Sequence, residues 1–556
     1  MRPDIRWQLL LALVCFSLVL SLLSFQVQSA GLCTTRVPAA GGTLSEGIVG
    51  APQHLNPLLS DNFPVDRELV NLIFDGLVRY DKTGRLTPAL AQNWTVSEDG
   101  LTVRFTLRQG ITWHDGEPLT AEDVVFTYRL LQDEAFPGPA ALKTLWQSVT
   151  INQIDDATVE FVLTEPYAPF LGATTRGILP AHHLQGVTAA ALVDAPFNQA
   201  PVGTGPFMVN PGQDWRRTHT LRLSPNPAYW RQGTPIATLE LRFYPDEAAL
   251  VQAFAAGEIQ AINQVSPVML PDVAEMPDVR LFTSAAPRYT SLLFNLSASG
   301  SPAVQNVEMR RALAYALDRQ ALVDDVLSGQ ALPLEGPYLP TNWAYNPAML
   351  TLYDSQPVTA TTLLESAGWL LPEGQTVRQR EGLVLNLRLL ALDKPTHRAV
   401  AQAIAGQWAG LGIGTELILV PALAELRQML LDRAFDVALV DVRPPGDPDL
   451  YDFWSQEAIV RGQNYAGWNN RRASEALEAA RQVWSVEARR PYYDTFLRLY
   501  DGDLPALTLY QHVYTYGLSQ EVNRAEIGRV EHPRDRYETL PQWFLLYRDV
   551  TVSCPG

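Results

Sequence analysis

Between Leu101 and Leu131 the spacing of apolar residues switches from a period of two to a helical one. Val103, Phe105 and Leu107 alternate with Arg104, Thr106 and Arg108, the pattern of a half-buried strand. Gly110 breaks the run, and the polar loop Trp113-His114-Asp115-Gly116-Glu117-Pro118 follows. Thr120 then stands three residues before Asp123 in a capping-box arrangement. Val124, Val125, Tyr128 and Leu131 fall on one face of the helix it starts.

Strand and helix patterns alternate along the rest of the chain, which predicts an α/β class. Val400, Ile404, Trp408 and Leu411 mark one face of a helix over His397–Leu411, ended by Gly412 and Gly414. Glu416–Val420 reads as a buried strand, Ala422–Leu431 as a helix, and Phe435–Val440 as a second strand. That is the strand–helix–strand unit from which central sheets are built. One long helix is predicted over Val307–Leu327, with Leu313, Ala316, Leu317, Val323 and Leu327 inward and Gly329 as its C-cap.

The apolar run Leu9–Val27, preceded by Arg2 and Arg6, is different in kind: it has no polar face. It predicts an export signal, and it is long enough to span a bilayer as a helix. Residues 1–30 are either a signal cleaved after Ala30 or a retained membrane anchor. Lipid attachment at Cys33 is a third option, with Leu32 where a lipobox wants Gly or Ala. Each puts the bulk of the chain outside, because the arginines hold the N-terminus in. Of three cysteines, Cys33 and Cys554 belong to the exported part and could pair in an oxidising compartment. With no CxxC pair, a cysteine-based metal or redox site is not expected.

A length of 556 residues predicts more than one lobe, and 47% hydrophobic with 18% charged residues describes an ordinary globular protein. The net charge of −17 supplies no basic footprint for nucleic acid. Candidate catalytic groups are sparse. His114, Asp115 and Glu117 share one loop with no second histidine at ligand spacing, so a structural loop is expected. His182-His183 lacks an HExxH-type context and reads as a turn. Gly203-Thr204-Gly205 lacks the lysine of a phosphate loop, and no G-x-S-x-G elbow occurs. The expectation is a non-enzyme with no cofactor and no metal.

The Leu101–Leu131 run also resembles the signature of extracellular solute-binding proteins of dipeptide/oligopeptide ABC importers, solute-binding protein family 5. Leu55-Asn56-Pro57-Leu58, Leu72–Leu77, Thr87–Ala91, Trp94–Gly100, Pro201–Phe207, Asn226–Trp230 and Val307–Arg319 are similar to family segments in the same order. The resemblance implies a two-lobed periplasmic-binding-protein-like fold of type II, in the large peptide-binding subclass, with an insert subdomain in the first lobe. A linker would cover residues 31–41 and the first lobe about 42–286, its insert about 86–200. The second lobe would cover about 287–510, with a return to the first lobe over 511–556. Hinge crossings would lie near Ala286–Tyr289 and Tyr510–Tyr516.

By the same resemblance, ligand lies between the lobes and pairs with strand edges. The first-lobe edge would be Ile48–Pro52, with Val49, Gly50 and Ala51 in contact; the second would be Tyr289–Leu293, with Tyr289 and Ser291. Trp468 and Tyr510 are candidate aromatic walls. Peptide binders of the family carry a Trp and then an Asp after the strand that here is Phe435–Val440. This chain has Val442 and Pro445 there instead. Asp441, Asp447 or Asp449 could take the ligand's ammonium from nearby, and Arg443 could receive a carboxylate bidentately. The implied role is a monomeric receptor that delivers a peptide to an ABC permease and its ATPase. The alternatives are another small solute, such as a sugar or metal chelate, or ligand sensing without transport.

Overall fold

The structure, a computed structural model, describes residues 3–28, 32–81, 84–527 and 533–553. One 11-stranded sheet runs through the body. Its strands are β1 (Thr43–Val49), β2 (Phe207–Val209), β3 (Thr220–Pro225), β4 (Thr238–Tyr244), β5 (Ala261–Ile262), β6 (Val279–Phe294), β7 (Ala331–Pro333), β8 (Asn386–Leu392), β9 (Gly414–Val420), β10 (Val437–Val442) and β11 (Ala506–Ser519). Their spatial order is β9-β8-β10-β6-β11-β5-β1-β4-β3-β2, with β7 beside β11.

The two longest strands join two cores. Val279–Ala285 of β6 pairs with Val513–Ser519 of β11, next to the core that holds Leu44, Ile48, Tyr514 and Tyr516. Tyr289–Leu293 pairs with Ala506–Gln511 in the half that holds Leu292, Leu387, Trp408 and Leu507. Between Ala285 and Tyr289 the register shifts. Pro287, which has no N–H to give, sits inside the irregularity, and Gln511 Nε2 reaches the Ala286 carbonyl at 2.8 Å. The connection between the halves is therefore a pair of bent strands, which explains why no Gly/Ser linker marks it in sequence.

The Leu101–Leu131 pattern folds as it reads. Thr102–Leu107 is a strand of a four-stranded antiparallel sheet, with Val103, Phe105 and Leu107 buried. The helix Ala121–Gln132 begins at the Thr120/Asp123 capping box and buries Val124, Val125, Tyr128 and Leu131. Asp123 does more than cap: it also accepts from Ala181 N at 2.9 Å and Trp113 Nε1 at 3.3 Å. The apolar residues of this insert run directly into the first-lobe core.

Two expectations need correction. Val307–Leu327 is not one helix. The α-helix stops at Tyr315, and Asp318 starts a new turn by accepting from Ala321 N; Leu322–Val326 is wound as π-helix. The restart frees Arg319, which is buried and donates to the carbonyls of Leu334, Thr508 and Tyr353. All five apolar residues expected to face inward are nevertheless buried. Glu416–Val420 does form a strand within β9, but it lies at the sheet edge with most of its residues only half-buried.

At the N-terminus, Pro3–Gln28 forms one 26-residue helix. Among the described residues no helix is long and apolar enough to cross a membrane. Leu32–Ala39 pairs with Leu546–Ser553, Cys33 opposite Val552. The expected partner Cys554 lies outside the described residues.

The two halves touch at a second place, remote from β6 and β11. Ala168 N donates to the Arg481 carbonyl at 2.7 Å, Arg481 reaches the Tyr167 hydroxyl at 3.3 Å, and Trp484 Nε1 donates to the Gly100 carbonyl at 3.2 Å. Tyr80 packs against Gly446, where a Cβ would lie 2.7 Å from the ring. Only glycine allows that approach. Trp484→Ala removes one hydrogen bond and a packed ring, about 1–2 kcal/mol. The closed-to-open ratio of the halves is expected to fall about tenfold. Small-angle scattering of the variant should report a larger radius; a curve identical to wild type would sink the latch.

Candidate functional site

The site begins with strand pairing. Thr290 of β6 is opposite Asp441 of β10 on one side and Tyr510 of β11 on the other. Cross-strand partners share a face, so these side chains form a row. Two residues along β11, His512 joins the same face. Thr290 Oγ1 donates to Asp441 Oδ1 at 2.7 Å and accepts from His512 Nε2 at 2.8 Å. His397, in the first turn of the helix Pro395–Ala409, closes on the same carboxylate oxygen at 3.3 Å, as does His512. Burial pushes the Asp441 carboxyl up, but the hydrogen bonds and charges of His397 and His512 outweigh it and hold it well below its usual range. Asp441 is therefore an anion, and about a third of its side chain is exposed.

Arg443 stands two residues on. It is exposed and makes no hydrogen bond or salt bridge to any described residue. Partial burial lowers its pKa, and the charges of Arg67 and Arg288 lower it further, against the opposing charge of Asp441. Arg67 belongs to the helix Pro64–Ile73 of the first half, and Arg288 to the irregular stretch of β6. Arg443 thus stands beside two like charges, one on the first half and one on the connecting strand. An anion there would relieve the repulsion and could accept from the planar guanidinium.

The remaining expected residues divide. Val49, Gly50 and Ala51 are exposed at the end of β1. β5 pairs with β1 only at Glu46 and Gly47, so this stretch runs on past it, open on that side. The second expected edge is not an edge. Tyr289–Leu293 is hydrogen-bonded to β10 on one side and β11 on the other, with no free row of peptide groups. Ser291 is buried, its hydroxyl spent on the Leu507 carbonyl. Tyr289 is 2% exposed and packs on Leu334 and Leu339. Trp468 is a core residue that donates to Asp503 Oδ2 at 2.9 Å. Tyr510 is buried too, its ring 5.3 Å from that of His512.

Asp447 is also unavailable, because both its oxygens accept from Arg489, at 2.7 and 2.6 Å. Asp449 is paired with Arg481 at 3.0 Å, and burial raises its carboxyl to about 6. Of the three aspartates, Asp441 is the one not paired with an arginine; Thr290, His397 and His512 share its Oδ1. Arg67, Arg288, His397 and His512 were not expected from the sequence. The signal for His512 was its place inside the Tyr510–Tyr516 crossing; the other three carry none that spacing reveals.

His114 is locked into the Gly203–Gly205 segment: its Nδ1 accepts from Gly203 N and its Nε2 lies 3.1 Å from the Gly205 carbonyl. A Cβ on Gly203 would lie 1.8 Å from the Ile73 carbonyl oxygen, which accounts for the glycine. A cavity of about 260 Å3 lies elsewhere in the first half, lined by Asp75, Arg79, Tyr229, Arg231 and Glu538. Its arginines are both paired with Glu538, and none of the expected ligand residues lines it.

Two α/β halves joined by a pair of bent strands are the architecture of a two-lobed solute receptor. The chain belongs to the bacterial extracellular solute-binding proteins, family 5, whose model matches residues 85–458. It is 31% identical to Protein XP55 of Streptomyces lividans over 474 residues, covering 84% of this chain and 83% of that one. It is 25% identical to the oligopeptide-binding protein AppA of Bacillus subtilis over 517 residues, 91% of this chain and 92% of that one. The solved structure of that AppA in complex with a nonapeptide superposes with a TM-score of 0.71 at 23% identity, covering 92% of this chain and all of the other.

Proposed function

We propose that this chain is the monomeric, extracytoplasmic receptor of an ABC importer and that it captures a peptide with free termini between its lobes. The observation that carries the reading is the pair Asp441 and Arg443: an anion with part of its side chain exposed and, two residues on, a cation with no hydrogen bond or salt bridge to a described residue and with Arg67 of the first lobe nearby. Asp441 would take the α-ammonium and Arg443 the carboxylate. Val49–Ala51 would offer the backbone edge. Ligand that touches both lobes favours the closed arrangement, with β6 and β11 as the hinge near residues 286–289 and 510–516. The closed form is then what the permease and its ATPase engage. The likeness to AppA, named for oligopeptides, supports the peptide reading. The N-terminal helix would export the chain and either be removed after Ala30 or remain as its anchor.

A second reading rests on a separate observation. Valine stands at position 442, and Asp447 is consumed by Arg489. With Arg67 and Arg288 beside Arg443, the gap is rich in positive charge, which suits an anionic non-peptide solute. Native mass spectrometry of the chain purified without denaturation from its own host separates the two. A ladder of peptide masses is expected. A single non-peptide mass would replace the first reading by the second. The mass of the chain itself reports whether residues 1–30 have been removed.

A further inference from the structure

Asp115, His182 and His183 come together at the surface of the insert, far from the cleft residues in sequence. Asp115 lies in the loop after the strand Thr102–Leu107, and the two histidines lie on the short helix Ala181–Leu184. His182 Nε2 is 2.8 Å and His183 Nε2 2.7 Å from the same oxygen, Asp115 Oδ2. Neighbours on a helix normally point about 100° apart. Here both rings turn to one point, their centroids 4.6 Å apart. The three ligand atoms all lie within 4.8 Å of one another.

The surroundings hold this geometry. Asp123 accepts from Ala181 N and Trp113 Nε1, tying the start of the short helix to the loop. The Trp113 ring stands edge-on to His182, and Phe197 flanks His183. Asp115 Oδ1 accepts from Glu117 N, which orients Oδ2 toward the imidazoles. Burial would raise the Asp115 carboxyl, but hydrogen bonds from both imidazoles and Glu117 N hold it at about 2. The carboxylate is an anion throughout the physiological range. His114, the other histidine in the loop, has both ring nitrogens engaged with Gly203 and Gly205 and is not a ligand.

We propose that Asp115, His182 and His183 form a binding site for a divalent transition-metal ion, zinc by preference. Two imidazoles and one carboxylate are the donor set that borderline divalent ions favour, and three protein ligands leave a position for water. The ion would bind the Nε2 lone pairs, with each ring's proton on Nδ1, and Asp115 Oδ2. It would take the place of the two N–H···O contacts and fasten the Trp113–Pro118 loop to the helix. The site is independent of the solute cleft and of the ligand held there.

The test uses the untagged chain, stripped of metal and titrated with Zn2+ against a chromophoric chelator. One equivalent per chain is expected. It should be lost in acid, because protons compete with the metal for its ligands. His182→Ala and His183→Ala should each weaken binding on the order of 100-fold, and the double variant should remove the equivalent. Asp115→Asn keeps the size of the side chain while removing its charge, and serves if the alanine variants fold poorly; it too should weaken binding. X-ray absorption of the zinc-loaded chain should give N/O ligands at about 2.0 Å with two-imidazole scattering. Failure to take up one equivalent, or uptake unchanged in the folded variants, would overturn the proposal.

Discussion

Arg536→Ala is expected to destabilise the first lobe by about 3–5 kcal/mol, the cost of stripping a buried ion pair of one partner. Arg536 is fully buried, between Glu46 of β1 and Glu68 of the helix Pro64–Ile73. Its Nε donates to Glu46 Oε1 at 3.0 Å, and its guanidinium lies 4.1 Å over the Tyr537 ring. The hydroxyls of Tyr516 and Tyr537 donate to the two oxygens of Glu46, each at 2.8 Å. Strand, helix and C-terminal return therefore meet at one guanidinium. Without it, two carboxylates remain buried with no cation.

The sign of the pH dependence follows. Burial already pushes the Glu68 carboxyl above its ordinary 4.5, against the pull of Arg536. Removing the cation raises it further. An acid with a raised folded pKa loses stability as pH rises through the interval between its unfolded and folded values. The deficit of the variant is thus largest at neutral pH and narrows as pH falls toward 4.5. Glu68→Gln in the Arg536→Ala background should recover part of the loss, since it removes an orphaned charge. Melting temperatures measured from pH 4.5 to 8 check both statements. A deficit independent of pH would mean that lost packing, not the stranded carboxylates, is responsible.

The elements whose signals are local were legible in the sequence. Alternation gave the strand Thr102–Leu107, the Thr120/Asp123 pair gave the start of the next helix, and helical spacing gave the helix expected over His397–Leu411, which runs from Pro395 to Ala409. What failed depended on distant neighbours. A run such as Tyr289–Leu293 tells that a strand exists and which residues share a face. It does not tell whether a second strand lies on each side, and here β10 and β11 do. Asp447 looked free because Arg489 lies 42 residues away in the chain. Trp468 is placed in the cleft by family resemblance alone, and its partner Asp503, 35 residues on, holds it in the core instead. The same blindness hid what Asp115 can do, since His182 and His183 reach it across 67 and 68 residues. The long helix over Val307–Leu327 failed for a local reason: Asp318 is an N-cap residue, and a capping aspartate within an apolar period can end one helix and begin another.

Arg443→Ala is expected to cost about 2–3 kcal/mol of affinity, about 30- to 150-fold, for a tripeptide with free termini. The probe is trialanine, compared with its C-amidated and N-acetylated forms by calorimetry. If Arg443 receives the carboxylate, amidation and Arg443→Ala remove the same interaction. Amidation should then cost the wild type as much as the mutation does, and cost the variant almost nothing. Asp441→Asn should show the matching pattern with N-acetylation, because Thr290, His397 and His512 still hold the side chain where it stands. Each pair is a double-mutant cycle with one partner on the ligand, and the coupling energy isolates the contact from general damage. Arg67 and Arg288 sharpen the expectation for Arg443. With two like charges bearing on it, loss of the third cation relieves repulsion in the empty site while removing the direct donor to the anion. The variant should therefore be at least as stable as the wild type without ligand and weaker only with it. Additive losses from amidation and Arg443→Ala would show that the carboxylate is held elsewhere, and equal affinity in wild type and variant would remove Arg443 from the site.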